Sequence, residues 1–317
     1  MNPLPSRQAL EVVTVTLNPA IDRTVTINDF AAGQVNRVEQ SQDSPGGKGV
    51  NVAVTLADAE HRVAVTGLLG RENATSFEDL FACKQIEDQF VRVAGRTRVG
   101  IKIIDPQQGQ TTDINFPGPA PAPTDLEVLQ ARLVALATPW VVLAGSLPPD
   151  VPATIYRDLI RLLKASGRRV ALDTSGLPLL SALEAGPHLL KPNIHELEAL
   201  VGTRLVTRSE VITAAQSLLA RGLEQVVVSL GGEGALLLDG NQVLIAQPPP
   251  VVVQSTVGAG DAMVAGLIAA QLRGLDLADA ARLATAFAVD TISRVGAGLS
   301  SSAVIADLMG LVRIKRI

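Results

Sequence analysis

The stretch Ser255-Thr256-Val257-Gly258-Ala259-Gly260-Asp261 stands directly ahead of a long apolar run, Ala262 to Leu272. Glycines on either side of one alanine let the backbone turn tightly and present consecutive N–H groups to an anion, and the apolar run reads as a helix whose N-terminus carries partial positive charge. Such a place suits a phosphate. A carboxylate would repel the ligand that the amides attract, so Asp261 reads better as a base than as a binding group. It can take the proton of a hydroxyl that attacks a terminal phosphate, while the N–H groups of Gly258, Ala259 and Gly260 hold the charge developing on the transferred group. The same residues also read as a turn with an aspartate capping the helix, and the loop alone leaves that alternative open.

Other stretches offer complementary chemistry. In Ser44-Pro45-Gly46-Gly47-Lys48-Gly49-Val50-Asn51, glycines surround a lysine at the start of an expected helix, so backbone can approach a ligand and Asn51 projects one turn along. The spacing is not that of a P-loop. Lys191-Pro192-Asn193-Ile194-His195-Glu196 offers a point charge for a phosphate, with Asn193 and Glu196 able to hold Mg²⁺ directly or through water. Glu196 equally reads as an acidic residue opening its own helix, and His195 reads as a surface residue. Ser229-Leu230-Gly231-Gly232 suits a nucleotide's phosphates or ribose, or is simply a tight turn. Asp22, just beyond Asn18-Pro19, is a candidate for bonding a polyol hydroxyl or a plain turn residue. Arg98 and Lys102 lie four apart on an expected strand and so on one face, which offers positive charge to a phosphorylated substrate or is merely solvated.

Composition bounds the alternatives. The 317 residues are 47% hydrophobic, enough for a large buried core, and a net charge of −4 without basic runs argues against nucleic acid. The single cysteine, Cys83, excludes an internal disulfide and fits a reducing cytoplasm; three separated histidines give no zinc spacing. No stretch approaches the roughly 20 apolar residues of a bilayer span, and Met1 to Leu10 lacks a signal-peptide core. Aromatic residues make up only 3% of the chain, so aromatic stacking cannot be the main way a base is recognised.

The elements that must position these groups follow an α/β rhythm. Strands are expected at Val12 to Leu17, Val63 to Leu69, Trp140 to Ala144, Arg169 to Asp173, Leu189 to Lys191 and Gln225 to Leu230, with helices between them. That alternation predicts a parallel sheet with helices on both faces, and it puts the Gly145-Ser146, Lys191 and Ser229 loops on one rim. Strands at Arg23 to Ile27, Val35 to Gln40, Arg96 to Ile104 and Thr111 to Phe116 lack intervening helices. They predict a small sheet, drawn from about residues 22–43 and 96–116, that stands apart as a lid and can pair with a second subunit. Long helices are expected at Ala262 to Arg273 and Leu277 to Arg294, a Gly/Ser-rich loop bordering the adenine at Val295 to Ser301, and a last helix, Ala303 to Val312, over the sheet edge.

Gly46-Gly47-Lys48-Gly49-Val50-Asn51, Lys191-Pro192-Asn193-x-x-Glu196 and Gly258-Ala259-Gly260-Asp261, in that order, resemble the ribokinase-like (PfkB-type) sugar kinases over nearly the whole chain. Thr16-Leu17-Asn18-Pro19-Ala20-x-Asp22, Gly95-Arg96-Thr97-Arg98, Thr112-Asp113-x-Asn115-Phe116 and Gly145-Ser146-Leu147-Pro148 resemble its hexose-phosphate branch. The resemblance implies one kinase domain over residues 1–317, a three-layer α/β sandwich with a β-lid that often forms a dimer contact, and MgATP as phosphoryl donor. It makes Asp261 the base and Gly258 to Gly260 the anion hole. Asp22, Gly47, Lys48 and Asn51 become sugar contacts, and Arg98 and Ser146 lie near the substrate phosphate. Lys191, Asn193, Glu196, Ser229 and Gly231 fall on the nucleotide and magnesium side, with Ser293 standing where many relatives carry a nucleotide-contacting asparagine. The implied acceptor is the C6 hydroxyl of fructose 1-phosphate, with tagatose 6-phosphate or fructose 6-phosphate as alternatives. A silent sugar-phosphate-binding regulator is the expectation from another class.

Overall fold

The structure, a computed structural model, describes residues 9–294 and 298–317. Buried β1 (Val12–Thr16) enters first, and β2 (Ala20–Thr26) and β3 (Gln40–Gly46) then form a hairpin ahead of α1 (Lys48–Asp58). After β4 (Val63–Gly70) and α2 (Thr75–Cys83) come the short β5 (Glu87–Asp88) and β6 (Val91–Val93), and then a second hairpin, β7 (Arg98–Asp105) and β8 (Gln110–Asn115). From α3 (Pro123–Ala135) the chain alternates through β9 (Trp140–Ala144), α4 (Ile155–Ala165), β10 (Arg169–Asp173), α5 (Gly176–Ala182) and β11 (Leu189–Leu190). It continues with α6 (Ile194–Val201), α7 (Arg208–Leu219), β12 (Gln225–Ser229), β13 (Ala235–Asp239) and β14 (Val243–Gln247). Finally, α8 (Ala259–Leu272), α9 (Leu277–Ile292), α10 (Ser302–Leu311) and β15 (Arg313–Arg316) complete the chain.

The main sheet has 11 strands, in the order β15-β14-β13-β12-β11-β10-β9-β1-β4-β5 with β6 also on β4. Its centre is parallel, and its strands are buried on both faces because successive side chains point to opposite layers. Val12, Val63, Val142 and Ala171 pack towards α1, α8 and α9; Val13, Ala64, Val141 and Leu172 pack towards α3 to α7. Helix α8 is buried from Asp261 to Ala270, and at Gly266 it lies so near α9 that an added Cβ would come within 2.5 Å of the Ala284 Cα. No helix among the described residues is long and apolar enough to cross a membrane.

The second sheet has four strands in the order β3-β2-β7-β8. One expected strand is displaced. Val35 to Val38 is not in a strand: the Asn36 side chain bonds back to the backbone of Ala31 and Gln34 and closes the turn at 32–34, leaving the following residues irregular. The strand begins at Gln40 and runs through polar, exposed residues that hydrophobic pattern could not reveal. The far edge of the main sheet also differs from expectation. Three antiparallel strands, β13 to β15, extend it, and β15 rather than the last helix takes the edge, while α10 packs on α9. Of the expected adenine-bordering loop, residues 295–297 lie outside the described residues.

Candidate active site

The carboxyl ends of β1, β10, β11 and β12 share one rim, and the lid stands over it. Between them lies an open cleft of about 420 Å³ lined by Asp22, Gly47, Lys48, Asn51, Arg98, Lys191, Asn193, Glu196, Ser229, Gly258, Gly260 and Asp261. Residues as far apart in sequence as Asp22 and Asp261 thus meet in one place.

Gly258 has φ 80° and serves as the N-cap of α8, a left-handed conformation that an L side chain would strain. The turn leaves the first N–H groups of α8 without helical partners at the edge of the cleft, close to the Lys191 ammonium; a Cβ at Gly260 would lie 3.3 Å from Lys191 Nζ. Asp261 is only 7% exposed, and its Oδ2 accepts a 2.8 Å hydrogen bond from Asn51 Nδ2 on α1. Burial, reinforced by the charge of Asp173, pushes its carboxyl up to about 6, against the opposing pull of Asn51, Lys48 and Lys191. It is therefore an ionised carboxylate at neutral pH that still accepts a proton readily. Asn51, expected as a sugar contact, lines the cleft and also holds Asp261 through this hydrogen bond.

Asp173 is a participant that the sequence alone did not mark. It ends β10 with 1% exposure, and its Oδ1 pairs with Lys48 Nζ at 3.1 Å and Lys191 Nζ at 3.5 Å. Burial opposes its ionisation, but the two ammonium groups outweigh burial and hold the carboxyl below the usual range. Burial likewise works against the Lys48 charge, and Asp173, Asp261 and Glu196 reverse it. The only sequence signal was its place, an acid at the carboxyl end of a buried parallel strand.

Asn193 and Glu196 form a capping box on α6: Asn193 Oδ1 accepts from the Glu196 N–H and Glu196 Oε2 from the Asn193 N–H, each at 2.9 Å. The helix-opening alternative for Glu196 is thus realised, and the Asn193 oxygen uses one of its two lone pairs on the cap. Glu196 Oε1 makes no hydrogen bond among the described residues, and Asp173 Oδ2 is buried without a partner. Among the described residues no three-ligand acidic or histidine cluster occurs. These donors fit a Mg²⁺ ion that keeps most of its waters and rides on phosphates, rather than a caged ion.

On the lid, alternation brings Asp22, Arg98, Lys102, Asp113 and Asn115 to the cleft face. Arg98 donates through Nε to the Asn18 carbonyl at 3.3 Å and through Nη1 to Asn115 Oδ1 at 3.2 Å. Burial raises the Asp22 carboxyl against the pull of Lys102 and Arg98. Ser146 does not line the cleft; its Oγ accepts from Asn18 Nδ2 at 3.2 Å, one residue removed from Arg98.

A second cavity of about 470 Å³ adjoins the first at Ser229 and Gly260. Gly231, Pro249, Val253, Met263 and Val289 are among its walls, which are aliphatic rather than aromatic. Ser293 is not among its lining residues; its hydroxyl donates to the Val289 carbonyl within the last turn of α9.

The profile of the pfkB family carbohydrate kinases matches residues 12–303. A 1-phosphofructokinase of Rhodobacter capsulatus is 48% identical over 96% of this chain and 98% of its own length, and one of Vibrio cholerae is 41% identical over 91% and 92%. The crystal structure of Escherichia coli phosphofructokinase-2 in complex with fructose-6-phosphate is similar with a TM-score of 0.88 at 28% identity, covering 95% of this chain and 98% of that one. With a family match over residues 12–303 and relatives 41–48% identical over nine-tenths of it or more, the chain belongs to the pfkB family of carbohydrate kinases.

Proposed function

We propose that this chain transfers the γ-phosphoryl group of ATP to the C6 hydroxyl of fructose 1-phosphate, giving fructose 1,6-bisphosphate and ADP. The observation that carries the chemistry is the buried Asp261 carboxylate beside unpaired helix amides, in a cleft it shares with Arg98 and Lys102. The acceptor is supported by the several 1-phosphofructokinases at 38–48% identity.

Each residue then has a task. Asp261 takes the hydroxyl proton as the new oxygen–phosphorus bond forms and the bond to the β-phosphate oxygen breaks, with that electron pair leaving on ADP. The amides of Gly258, Ala259 and Gly260 hold the charge on the transferred group, and Lys191 adds a cation beside them. Asn51 keeps the reactive oxygen of Asp261 aimed at the acceptor. Asp22, Gly47 and Lys48 contact the sugar, Arg98 and Lys102 grip its phosphate, and Ser146 supports that end through Asn18. Gly231 and Ser229 border the nucleotide in the second cavity, and Ser293 lies behind its wall. Glu196, supported by Asp173, would hold the Mg²⁺ that accompanies ATP, directly or through water, and that ion would neutralise charge on the phosphates.

The lid's outward strand β8 is exposed throughout, and Ile114 and Phe116 are 44% and 49% exposed. We assign this surface to a homodimer contact through the lid, in one kinase domain spanning the chain, and the protein to the cytoplasm, which keeps the exposed thiol of Cys83 reduced.

A coupled ADP-release assay with fructose 1-phosphate, fructose 6-phosphate and tagatose 6-phosphate tests the assignment. The expected result is the highest kcat/KM for fructose 1-phosphate. A preference for either 6-phosphate overturns the acceptor, and absence of turnover with all three leaves the regulator.

A further inference from the structure

Asp22 sits on β2 with a glycine on each neighbouring strand. It stands directly opposite Gly100 on β7, and Gly46 on β3 lies one step diagonally along the same face. A Cβ at position 46 would fall 2.2 Å from Asp22 Oδ2 and 2.9 Å from its Cγ, and one at position 100 would fall 3.0 Å from Oδ1. Each carboxylate oxygen therefore rests over bare backbone. Neither glycine has φ in the left-handed region, so the chain conformation does not demand glycine there and only the space does.

The space matters because of what stands beside it. Arg98 and Lys102 flank Gly100 on the same strand face, yet among the described residues Asp22 forms an ion pair with neither. A carboxylate lifted from the sheet would turn towards these cations and compete with a substrate phosphate for them.

We propose that Gly46 and Gly100 are positioning residues for the acceptor: together they form a slot that recesses the Asp22 carboxylate into the lid. There it meets a sugar hydroxyl while leaving Arg98 and Lys102 open to the phosphate. The inference deepens the function proposed above and rests on it. It accounts for two adjacent-strand glycines in a strand context where glycine otherwise weakens a sheet.

The test is a double-mutant cycle on the full-length enzyme, with KM for fructose 1-phosphate, KM for ATP and kcat as readouts. Gly46→Ala is expected to raise KM for fructose 1-phosphate about tenfold and Gly100→Ala about threefold, the range of a side chain forced from its rotamer, with KM for ATP and kcat near native. In an Asp22→Ala background, where no carboxylate remains to be displaced, both alanines are expected to add nothing. Equal rises in both backgrounds overturn the slot while leaving the kinase intact, as does the absence of any rise from Gly100→Ala together with Gly46→Ala in the native background. If the unmodified chain fails to phosphorylate fructose 1-phosphate, the function proposed above and this inference fall together.

Discussion

The two walls of the cleft are built on opposite terms. On the main-sheet side the charged groups are set into the core: Asp173, Lys191 and Asp261 are 1%, 5% and 7% exposed, and each has its partner fixed. The lid side carries its charges on a thin sheet whose outer strands β3 and β8 are almost wholly exposed, with a core of its own limited to Val25, Ile27 and Ile103. Phosphoryl transfer needs dipoles and charges that do not reorganise, and burial supplies that. Acceptor choice needs a surface that can meet and leave a soluble phosphosugar, and a lightly anchored sheet supplies that. The wall that reacts and the wall that selects should therefore fail differently when altered.

The largest expected effect comes from the reacting wall. Asp261→Asn should lower kcat by about 10² to 10⁴ while KM values and folding persist. Near-native kcat in that variant would remove the base from this wall. Asp173→Asn strands the buried Lys191 ammonium, so it should cost on the order of 3 kcal/mol of stability in a denaturant titration and raise KM for ATP. Unchanged stability would mean that the rim is not pre-set by burial. Arg98→Ala on the selecting wall should raise KM for fructose 1-phosphate about tenfold with KM for ATP unchanged. A change confined to ATP would exchange the roles of the two walls. The smallest effect is continuous. Because the Asp261 carboxyl is raised to about 6 and must be ionised to act, kcat/KM should be flat above that pH and fall about tenfold per unit below it. A profile flat to pH 5 would place the titrating group elsewhere.

Much of this was legible in the sequence because the telling signals are local. The Gly258 to Asp261 loop, the Lys48 helix start and the strand-helix alternation each declare themselves within a few residues, and the structure brings the first two into one cleft. What escaped depends on partners that sequence does not place side by side. Asp173 resembles any strand-ending acid until Lys48, 125 residues away, reaches it. The hydrogen bond from Asn51 on α1 to Asp261 on α8 is likewise invisible in the sequence, although both residues line the cleft as expected. Asn193 illustrates a double use that sequence leaves open: its side-chain oxygen caps α6 by accepting from the Glu196 amide, and the oxygen's second lone pair remains. The β3 strand escaped for want of apolar residues, since its ladder with β2 rather than any buried face holds it.

The hydrogen bond from Asn51 to Asp261 joins positions 210 residues apart. During synthesis, then, the amide that steadies this carboxylate emerges 210 residues ahead of it and must wait for that stretch before it has its partner to hold. A product released short of Asp261 carries the lid and the Asp173–Lys191 pair but not the carboxylate proposed as base, and so is expected to spend no nucleotide on a sugar.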